Sequence, residues 1–420
     1  MTVRAGLALM ALVGALLVGP AAGANERAAL VRPTMPVPPD AYPIATDARL
    51  GGDANRTRLV IDLSRTIEIA AFTLADPYRV IVDLPQVTFQ LPSRIGDRGR
   101  GLVRAFRYGL VMQGGSRLVI DASGPVRIEK AFVLEAVDND PARLVLDLVA
   151  TDRESFMRTL AVEGRPRRTA EPKRNEPKPS NDGRPLVMLD PGHGGVDAGA
   201  IAPSGEMEKA IVLEFAQTLR QKLEQSGKYR VAMTRSDDSF IPLAERVRIS
   251  RAAGASLFVS IHADAITHNT AEVRGATVFT LSETASDAEA GRLAESENRA
   301  DVIAGVDLST EPEEVADILI DLTQRETKNF SAHFARTVVG ELKATARLAK
   351  SPLKSAGFRV LKAPDVPSVL IELGYVTNKE DLKLITSDAW RARNADAIMQ
   401  SINTFFSTRL AGTPPAPGSH

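Results

Sequence analysis

Cysteine is absent from all 420 residues of the chain. This absence excludes a disulfide framework and a cysteine nucleophile, and it leaves histidine and carboxylates as the side chains that could bind a metal ion. Net charge is absent as well, because 52 Lys and Arg residues are matched by 52 Asp and Glu residues. A chain without net charge has no overall field that attracts nucleic acid, so a nucleic-acid role is disfavoured.

Several catalytic motifs are also missing. The sequence contains no P-loop and no dinucleotide-binding fingerprint. It has no Gly-x-Ser-x-Gly elbow with a matching His–Asp pair, which disfavours a serine hydrolase. The helical His-Glu-x-x-His zinc motif is absent too, so any metal ligands have to converge from separate strands and loops.

Long apolar runs are scarce, and the clearest one lies at the N-terminus. Residues 5–18 are apolar and follow Arg4, and an Ala-Gly-Ala cleavage site ends at Ala24. This pattern predicts a secretory signal peptide over residues 1–24, with the mature chain beginning near Asn25. A membrane anchor is the alternative, although the run is short for a spanning helix, which needs roughly 20 residues. No later stretch could span a bilayer, so we expect no transmembrane anchor after cleavage.

Four short runs with one shared pattern follow. Each is rich in aliphatic residues, begins with Arg and reaches Asp four residues later: residues 58–63, 79–84, 117–121 and 143–148. Such runs, bounded by turn-like sequence, predict strands. Their recurrence indicates two similar halves, near 45–95 and 101–150, so we expect an all-β sandwich over residues 43–150. This region lacks a histidine cluster, so we expect a binding or targeting module.

The remaining chain divides into a linker and a second domain. Residues 151–183 are polar, charged and rich in proline, which predicts a flexible linker. Its basic cluster at 165–168 could alternatively contact an acidic surface. From 184 to 410 strands alternate with helices, which predicts an α/β domain with a central sheet flanked by helices.

The alternation has a definite order and one interruption. The predicted strands are 186–189, 229–234, 257–261, 278–281, 358–361 and 368–373, and the predicted helices are 208–225, 243–253 and 389–406. An acidic, helix-prone stretch at 283–325 breaks the pattern. An insertion of this length is usually functional or mobile.

Two of the five histidines follow apolar, strand-like runs. His193 lies in the run Asp-Pro-Gly-His-Gly-Gly, whose glycines let the backbone approach a ligand closely. His262 ends the apolar run 257–261. Both positions are at the carboxyl ends of predicted strands, where open α/β sheets build their sites.

Two acidic residues complete the candidate set. Glu372 lies inside the apolar run Val-Leu-Ile-Glu-Leu, where an unpaired buried carboxylate would be costly. Glu208 begins a predicted helix, where an ordinary first-turn acid is also expected, and Glu206 competes with it as a ligand. Two imidazoles and one carboxylate suit catalytic zinc, because this set leaves one position for water. A further carboxylate could act on that water as general base.

Together these runs resemble the zinc-dependent N-acetylmuramoyl-L-alanine amidases of the amidase-3 type, over about residues 185–410. The resemblance rests on Asp-Pro-Gly-His-Gly-Gly at 190–195, Glu-Lys at 208–209, Ser-Ile-His-Ala at 260–263 and Ile-Glu-Leu-Gly-Tyr-Val-Thr-Asn at 371–378. It implies that His193, Glu208 and His262 bind Zn²⁺ and that Glu372 is catalytic.

The resemblance also implies a reaction, the hydrolysis of the amide between N-acetylmuramic acid and L-alanine in peptidoglycan. Zinc would lower the pKa of its bound water to about 7, and Glu372 would take the proton of that water and return it to the leaving amine. Asp264 stands where the family commonly has Asn, which alters the charge near the metal but removes no ligand. Two alternatives are another cell-wall zinc peptidase, of the carboxypeptidase type, and an inactive peptidoglycan-binding protein.

Two further regions extend the resemblance. Residues 43–150 resemble an AMIN domain, a two-fold-symmetric β-sandwich that localises such amidases on peptidoglycan. The acidic stretch 283–325 resembles the regulatory insert of division-associated amidases, in which a helix covers the active site until a LytM-domain activator removes it. This resemblance implies autoinhibition, with Glu297 as the blocking zinc ligand and Glu295 as the second candidate. It also implies a periplasmic enzyme of daughter-cell separation.

Overall fold

The structure is a computed structural model that describes residues 42–112, 114–138, 140–162, 182–265, 274–306 and 318–411. The predicted signal peptide lies outside the described residues, as do most of the predicted linker and part of the acidic stretch. None of the helices in the described ranges has the length and apolar composition that crossing a membrane requires.

Two packed sheets form the first domain. Their strands are β1 Ile44–Gly52, β2 Arg56–Leu63, β3 Ala70–Leu74, β4 Arg79–Pro85, β5 Thr88–Phe89, β6 Val103–Met112, β7 Gly115–Ala122, β8 Val126–Leu134 and β9 Ala142–Ala150. One sheet has the order β5-β1-β2-β9-β8 and the other the order β3-β4-β7-β6. Aliphatic side chains from alternate strand positions of both sheets form the core between them. The predicted all-β sandwich is confirmed.

Each half of the sequence repeat contributes one hairpin to each sheet. The hairpins β1–β2 and β8–β9 join through β2 and β9, and the hairpins β6–β7 and β3–β4 join through β7 and β4. The four Arg-to-Asp runs are therefore the four central strands. Two cross-strand Arg–Asp pairs join these runs on the outer faces, Arg58 with Asp147 and Arg117 with Asp83, each at 2.6 Å.

The first part of the predicted linker differs from the prediction, because Arg153–Val162 form a helix, α1. The backbone N–H of Ser155 donates a hydrogen bond to the Asp152 side chain at 2.8 Å, which caps the start of the helix. Phe156 is buried, and its ring meets Tyr78 edge-on at a centroid distance of 5.1 Å. A cap and one buried ring thus order a stretch whose polar composition predicted a flexible linker.

A six-stranded mixed sheet organises the second domain, with the order β11-β10-β12-β15-β13-β14. Its strands are β10 Leu186–Pro191, β11 Arg230–Met233, β12 Leu257–His262, β13 Ala276–Leu281, β14 Leu348–Ala356 and β15 Ser368–Glu372. Its helices are α2 Glu208–Gln225, α3 Leu243–Ala252, α4 Ala288–Glu297, α5 Ala300–Ile303, α6 Ile318–Leu342, α7 Lys379–Ile385 and α8 Asp388–Ala411. The predicted α/β domain, with a central sheet flanked by helices, is confirmed.

Helices cover both faces of this sheet. On one face α2, α6 and α8 contribute Phe215, Phe334 and Phe405 to a shared core with the sheet. On the other face α3 and α4 pack against Phe258 and Phe279 of the sheet. Because both faces are covered, every residue of β10, β12 and β15 is buried.

The predicted strand at 358–361 is wrong. Residues Arg359–Leu361 form a single 3₁₀ turn, and the strand is β14, which ends at Ala356. β14 is polar and contains Pro352, which a strand tolerates at the edge of a sheet because the missing N–H then has no partner to lose. The sequence-based prediction also lacks α7, whose start is capped by the side chain of Asn378.

Candidate active site

Three neighbouring parallel strands bring predicted site residues to one edge of the sheet. β10, β12 and β15 are adjacent and parallel, so their carboxyl ends meet. His262 ends β12 in register with Glu372, which ends β15. His193 follows the end of β10, whose Pro191 is in register with Ile261.

The loop that carries His193 is held in an unfavourable conformation. His193 has a φ of 58°, in the left-handed region that non-glycine residues seldom adopt. Arg246 donates hydrogen bonds to the carbonyl oxygens of Pro191 and His193 at 2.8 and 2.7 Å. Arg235 donates one to the carbonyl oxygen of Gly192 at 2.6 Å. These charge-assisted bonds offset the backbone strain and fix the imidazole in place.

Arg246 is in turn paired with Asp190, the first residue of the Asp-Pro-Gly-His run. Their side chains are both buried and lie 2.9 Å apart. Thr234 and Ser260 donate hydroxyl hydrogen bonds to the same carboxylate at 2.6 and 2.7 Å. Burial opposes ionisation of Asp190, but Arg246 and the two hydroxyl groups hold its pKa below the ordinary value. Asp190 therefore anchors the loop.

Glu208 opens α2 and points into the protein. Its side chain is fully buried. Its Oε1 accepts a hydrogen bond from the backbone N–H of Ala263 at 2.8 Å, and its Oε2 accepts one from that of Ala200 at 2.9 Å. Glu206, which competes with it as a ligand on sequence grounds, is exposed. The placement therefore favours Glu208.

Four side-chain atoms surround one point between these elements. Oε1 of Glu208 lies 3.2 Å from Nε2 of His193 and 3.3 Å from Nδ1 of His262. Oε2 of Glu297 lies 3.5 Å from the same atom of His193 and 3.2 Å from that of His262. Ligands about 2.0–2.1 Å from a tetrahedral zinc ion stand roughly 3.3 Å from one another. The observed spacings fit such an ion.

The two imidazole nitrogens that face this point have no hydrogen-bond partner of acceptable geometry among the described residues. Buried polar atoms of this kind are costly, and a metal ion would satisfy both. Nδ1 of His193 lies 2.9 Å from Oδ2 of Asp197. A proton on that nitrogen leaves the Nε2 lone pair of His193 available to a metal, and Asp197 orients the ring.

The charges around this point also favour a metal ion. The buried region holds two imidazoles and five carboxylates, those of Asp197, Glu208, Asp264, Glu297 and Glu372. Burial raises the pKa of Glu297 and of Glu372, and the negative charge of Glu208 adds to the effect. Burial, with Glu297 and Glu208, also raises the pKa of Asp264 to about 8. A divalent cation would offset this excess of negative charge.

His193 and Glu208 shift each other's pKa. Burial alone would lower the pKa of His193, but Glu208, Asp197 and Glu297 outweigh it and raise that pKa well above its ordinary value. Burial would raise the pKa of Glu208, yet His193 and His262 hold it well below its ordinary value. The three residues His193, Glu208 and His262 thus form one electrostatic unit.

Glu372 stands beside this unit. It is fully buried, and its Oε2 accepts a hydrogen bond from the backbone N–H of Asp264 at 3.1 Å. Its Oε1 has no hydrogen-bond partner among the described residues. A buried carboxylate with one oriented and one available oxygen, next to a candidate metal position, is suited to proton transfer.

The acidic stretch reaches the site through α4. Three residues of α4 pack into the core: Ala290, Leu293 and Ala294. Glu297 continues this buried face at the spacing of one further turn. The cavity between α4 and the site measures about 10 Å³, room for about one water molecule at most. Glu295, the second candidate, is 66% exposed and bonds Arg299 at 2.5 Å.

Sequence reasoning missed three residues that shape the site. Asp197 carries a local signal, because an acid four residues after a candidate histidine in a Gly-rich loop is well placed to orient it. Arg246 and Arg235 carry no such signal. They contact the loop from 53 and 43 residues away along the chain, and only the fold brings them there.

Comparison with known proteins agrees with this fold. A family model described as N-acetylmuramoyl-L-alanine amidase matches residues 187–404, and an AMIN domain model matches residues 47–148. The chain is 34% identical over 385 residues to the N-acetylmuramoyl-L-alanine amidase AmiC of Neisseria meningitidis, covering 88% of this chain and 91% of that protein. It is 32% identical over 367 residues to AmiC of Escherichia coli, covering 83% and 86%.

Solved structures include similar catalytic domains. The N-acetylmuramoyl-L-alanine amidase from Clostridium difficile aligns with a TM-score of 0.40 and 22% identity, covering 54% of this chain and 98% of that one.

The fold and the site define a two-domain enzyme, a hydrolase whose mixed-sheet catalytic domain holds a His-Glu-His set compatible with a metal ion. The chain belongs to the amidase-3 family of N-acetylmuramoyl-L-alanine amidases, which act on peptidoglycan, and its β-sandwich is an AMIN domain. The family resemblance and the enzyme class predicted from the sequence are confirmed.

Replacing Gly192 with alanine should weaken metal binding. A Cβ at this position would lie 2.4 Å from Cε1 of His262, so the imidazole would have to move. We expect Zn²⁺ affinity to fall about 10- to 100-fold, measured by titration against a chromogenic chelator. Gly340→Ala is the matched control, because a Cβ there meets nothing within 4 Å. Unchanged affinity in Gly192→Ala would contradict the placement of His262.

Proposed function

We propose that this amidase depends on zinc and that His193, Glu208 and His262 hold the ion. The observation that carries the proposal is the convergence of their three ligand atoms within 4.8 Å of one another in a buried position. A mixed nitrogen and oxygen set of this size suits zinc and leaves one further position. Membership of the amidase-3 family supports the same choice of metal.

When bound, zinc would supply a Lewis acid that polarises the scissile carbonyl group and acidifies water. The proton transfers fall to Glu372. Its free Oε1 takes a proton from the attacking water and later delivers it to the leaving nitrogen of L-alanine. The C–N bond breaks, which leaves a carboxylate on the lactyl group of N-acetylmuramic acid and a free amine on the stem peptide.

Glu372→Gln should keep its zinc and lose activity. The amide cannot accept the proton of water, so release of stem peptides should fall about 10²- to 10⁴-fold, while metal content measured by mass spectrometry stays unchanged. Glu380→Gln is the control, since Glu380 is an exposed acid at the start of α7. Wild-type activity in Glu372→Gln would remove Glu372 from the mechanism.

Two other functions are separated by their products. A cell-wall carboxypeptidase would shorten stem peptides that remain attached to the glycan, whereas the amidase frees intact stem peptides with L-alanine at their amino end. An inactive peptidoglycan-binding protein would release neither. Mass spectrometry of digested muropeptides therefore distinguishes the three, and the buried ligand set with an available Glu372 oxygen favours the amidase.

The proposal includes autoinhibition by Glu297. Its Oε2 lies at hydrogen-bond-like distances from both imidazole nitrogens, where the fourth zinc ligand would stand. A carboxylate on the buried face of a helix is costly unless it meets positive charge, so its position is explained by a cation. With α4 seated, His193, His262 and Glu372 are all buried, so a substrate as large as a glycan with its peptide cannot reach them.

Glu297→Ala should raise the basal rate of stem-peptide release. Removing the blocking oxygen shifts the equilibrium towards the open site, and we expect an increase of at least about tenfold. Glu295→Ala is the matched control, because Glu295 lies on the same helix but is exposed and bonded to Arg299. An unchanged or lower rate in a folded, zinc-loaded Glu297→Ala protein would rule out this form of autoinhibition.

The cellular role follows from the remaining features. The signal-like N-terminus, the AMIN domain and the AmiC relatives support a periplasmic enzyme directed to peptidoglycan. The seated acidic helix supports a division-associated type that a LytM-domain activator opens. In this role the enzyme would cleave septal peptidoglycan during daughter-cell separation.

A further inference from the structure

The segment after α4 ends against the AMIN sandwich. Three arginines of the sandwich donate hydrogen bonds to backbone carbonyl oxygens of this segment. The pairs are Arg79 with Val302 at 2.5 Å, Arg107 with Ile303 at 2.7 Å and Arg117 with Gly305 at 3.2 Å. The Val302 carbonyl oxygen also accepts a hydrogen bond from the backbone N–H of Gly305 at 3.1 Å. Carbonyl groups at the end of a helical turn carry partial negative charge, so guanidinium groups bind them favourably.

Two of these arginines are fixed by acids of their own sheet. Arg107 makes a two-pronged contact with Asp121 at 2.6 and 2.9 Å. Arg117 makes one with Asp83 at 2.6 and 3.0 Å. A guanidinium held in this way loses little conformational freedom when it bonds a further acceptor. The surface is therefore preorganised for the carbonyl groups that it binds.

Apolar contact accompanies the hydrogen bonds. Ile81 and Val119 lie on the sheet face turned away from the sandwich core, yet both are fully buried. Gly305 approaches them closely, with a φ of 71°. A Cβ added to Gly305 would lie 2.4 Å from Cδ1 of Ile81 and 3.3 Å from Cγ2 of Val119. The segment thus covers apolar surface of the AMIN domain, which stabilises the contact.

The second sheet of the sandwich provides an internal comparison. The two-fold repeat relates the pair Arg117 and Asp83 to the pair Arg58 and Asp147, which makes the same two-pronged contact at 2.6 and 2.7 Å. The Arg58 side chain is 56% exposed, whereas that of Arg117 is 19% exposed. The repeat accounts for the Arg–Asp pairs on the outer faces of both sheets. It does not account for the burial of Arg117 beneath residues 302–305, because its counterpart Arg58 is exposed.

A short, well-bonded stretch connects this contact to Glu297. The side chain of Asn298, the next residue, accepts a hydrogen bond from the backbone N–H of Arg359 at 2.8 Å. Asp301 is fully buried, and its Oδ1 accepts a hydrogen bond from the backbone N–H of Leu243 at 2.8 Å. The carbonyl groups bound by the AMIN arginines therefore belong to the same short, hydrogen-bonded stretch as the Glu297 side chain.

We propose that the outer face of the β3-β4-β7-β6 sheet is a latch for the blocking segment. It binds residues 302–305 of the chain through Arg79, Arg107 and Arg117, and so holds Glu297 in the metal centre. The AMIN domain is then an inhibitory partner of the catalytic domain as well as a wall-directed module. Separation of the domains at this face opens the site. This inference rests on the proposed autoinhibition by Glu297.

Two latch variants of the full, zinc-loaded chain test it, Arg107→Ala/Arg117→Ala and Ile81→Glu. Each should raise basal release of stem peptides from purified peptidoglycan by about tenfold. Each should also speed hydrogen–deuterium exchange across residues 290–306. Arg58→Ala, the two-fold-related control, should change neither. A face with a purely structural role would give lower activity in the variants.

A cycle with Glu297→Ala separates the two proposals. In a Glu297→Ala protein the latch variants should not raise the rate of stem-peptide release further, because both changes remove the same inhibitory contact. If Glu297→Ala raises the rate while the latch variants do not, the latch is wrong and autoinhibition stands, whatever the hydrogen–deuterium exchange of the latch variants. If Glu297→Ala leaves the rate unchanged, autoinhibition and the latch fail together.

Discussion

A buried excess of negative charge is the constraint on which the catalytic domain depends. Taking a charged group out of water costs of the order of several kcal/mol even after relaxation, and this site buries five carboxylates beside two imidazoles. Backbone N–H groups of Ala200, Ala263 and Asp264 hold two of the carboxylates in fixed orientations. A dication at the shared point would complete the compensation.

The sheet and helix α4 place charged side chains around the same point from opposite sides. Parallel strands deliver His262 and Glu372 side by side in register, and a strained loop secured by buried arginines delivers His193. From the other side, the apolar face of α4 seats Glu297 over the same point. Glu297 therefore lies where a fourth ligand of the proposed metal ion would stand, which is the basis of the proposed autoinhibition.

Features that depend on residues close together in the sequence could be predicted from it, and features that depend on distant segments could not. The motifs around His193, His262 and Glu372, and the helical period of α2, are local, so the sequence predicted these elements and identified the three residues as candidates. Glu208 depended on resemblance, because a first-turn acid is common. The strand predicted at 358–361 was wrong because the strand here is the polar edge strand β14, which ends at Ala356. Residues 153–162 of the predicted linker form a helix because Phe156 is buried against Tyr78. The hydrogen bonds of Arg246 to the His193 loop and the contact of the AMIN domain with residues 302–305 join distant segments of the chain. No local sequence pattern encodes them.

Catalysis and inhibition, as proposed, both depend on a zinc ion held by His193, Glu208 and His262, with Glu297 as its fourth ligand in the resting enzyme. A crystal structure of the zinc-loaded full chain, with anomalous diffraction measured at the zinc edge, tests it most directly. We expect one peak about 2.0–2.2 Å from Nε2 of His193, from Nδ1 of His262 and from one oxygen of each glutamate. A peak elsewhere, or a zinc ion coordinated without Glu208 or with water in place of Glu297, would contradict it.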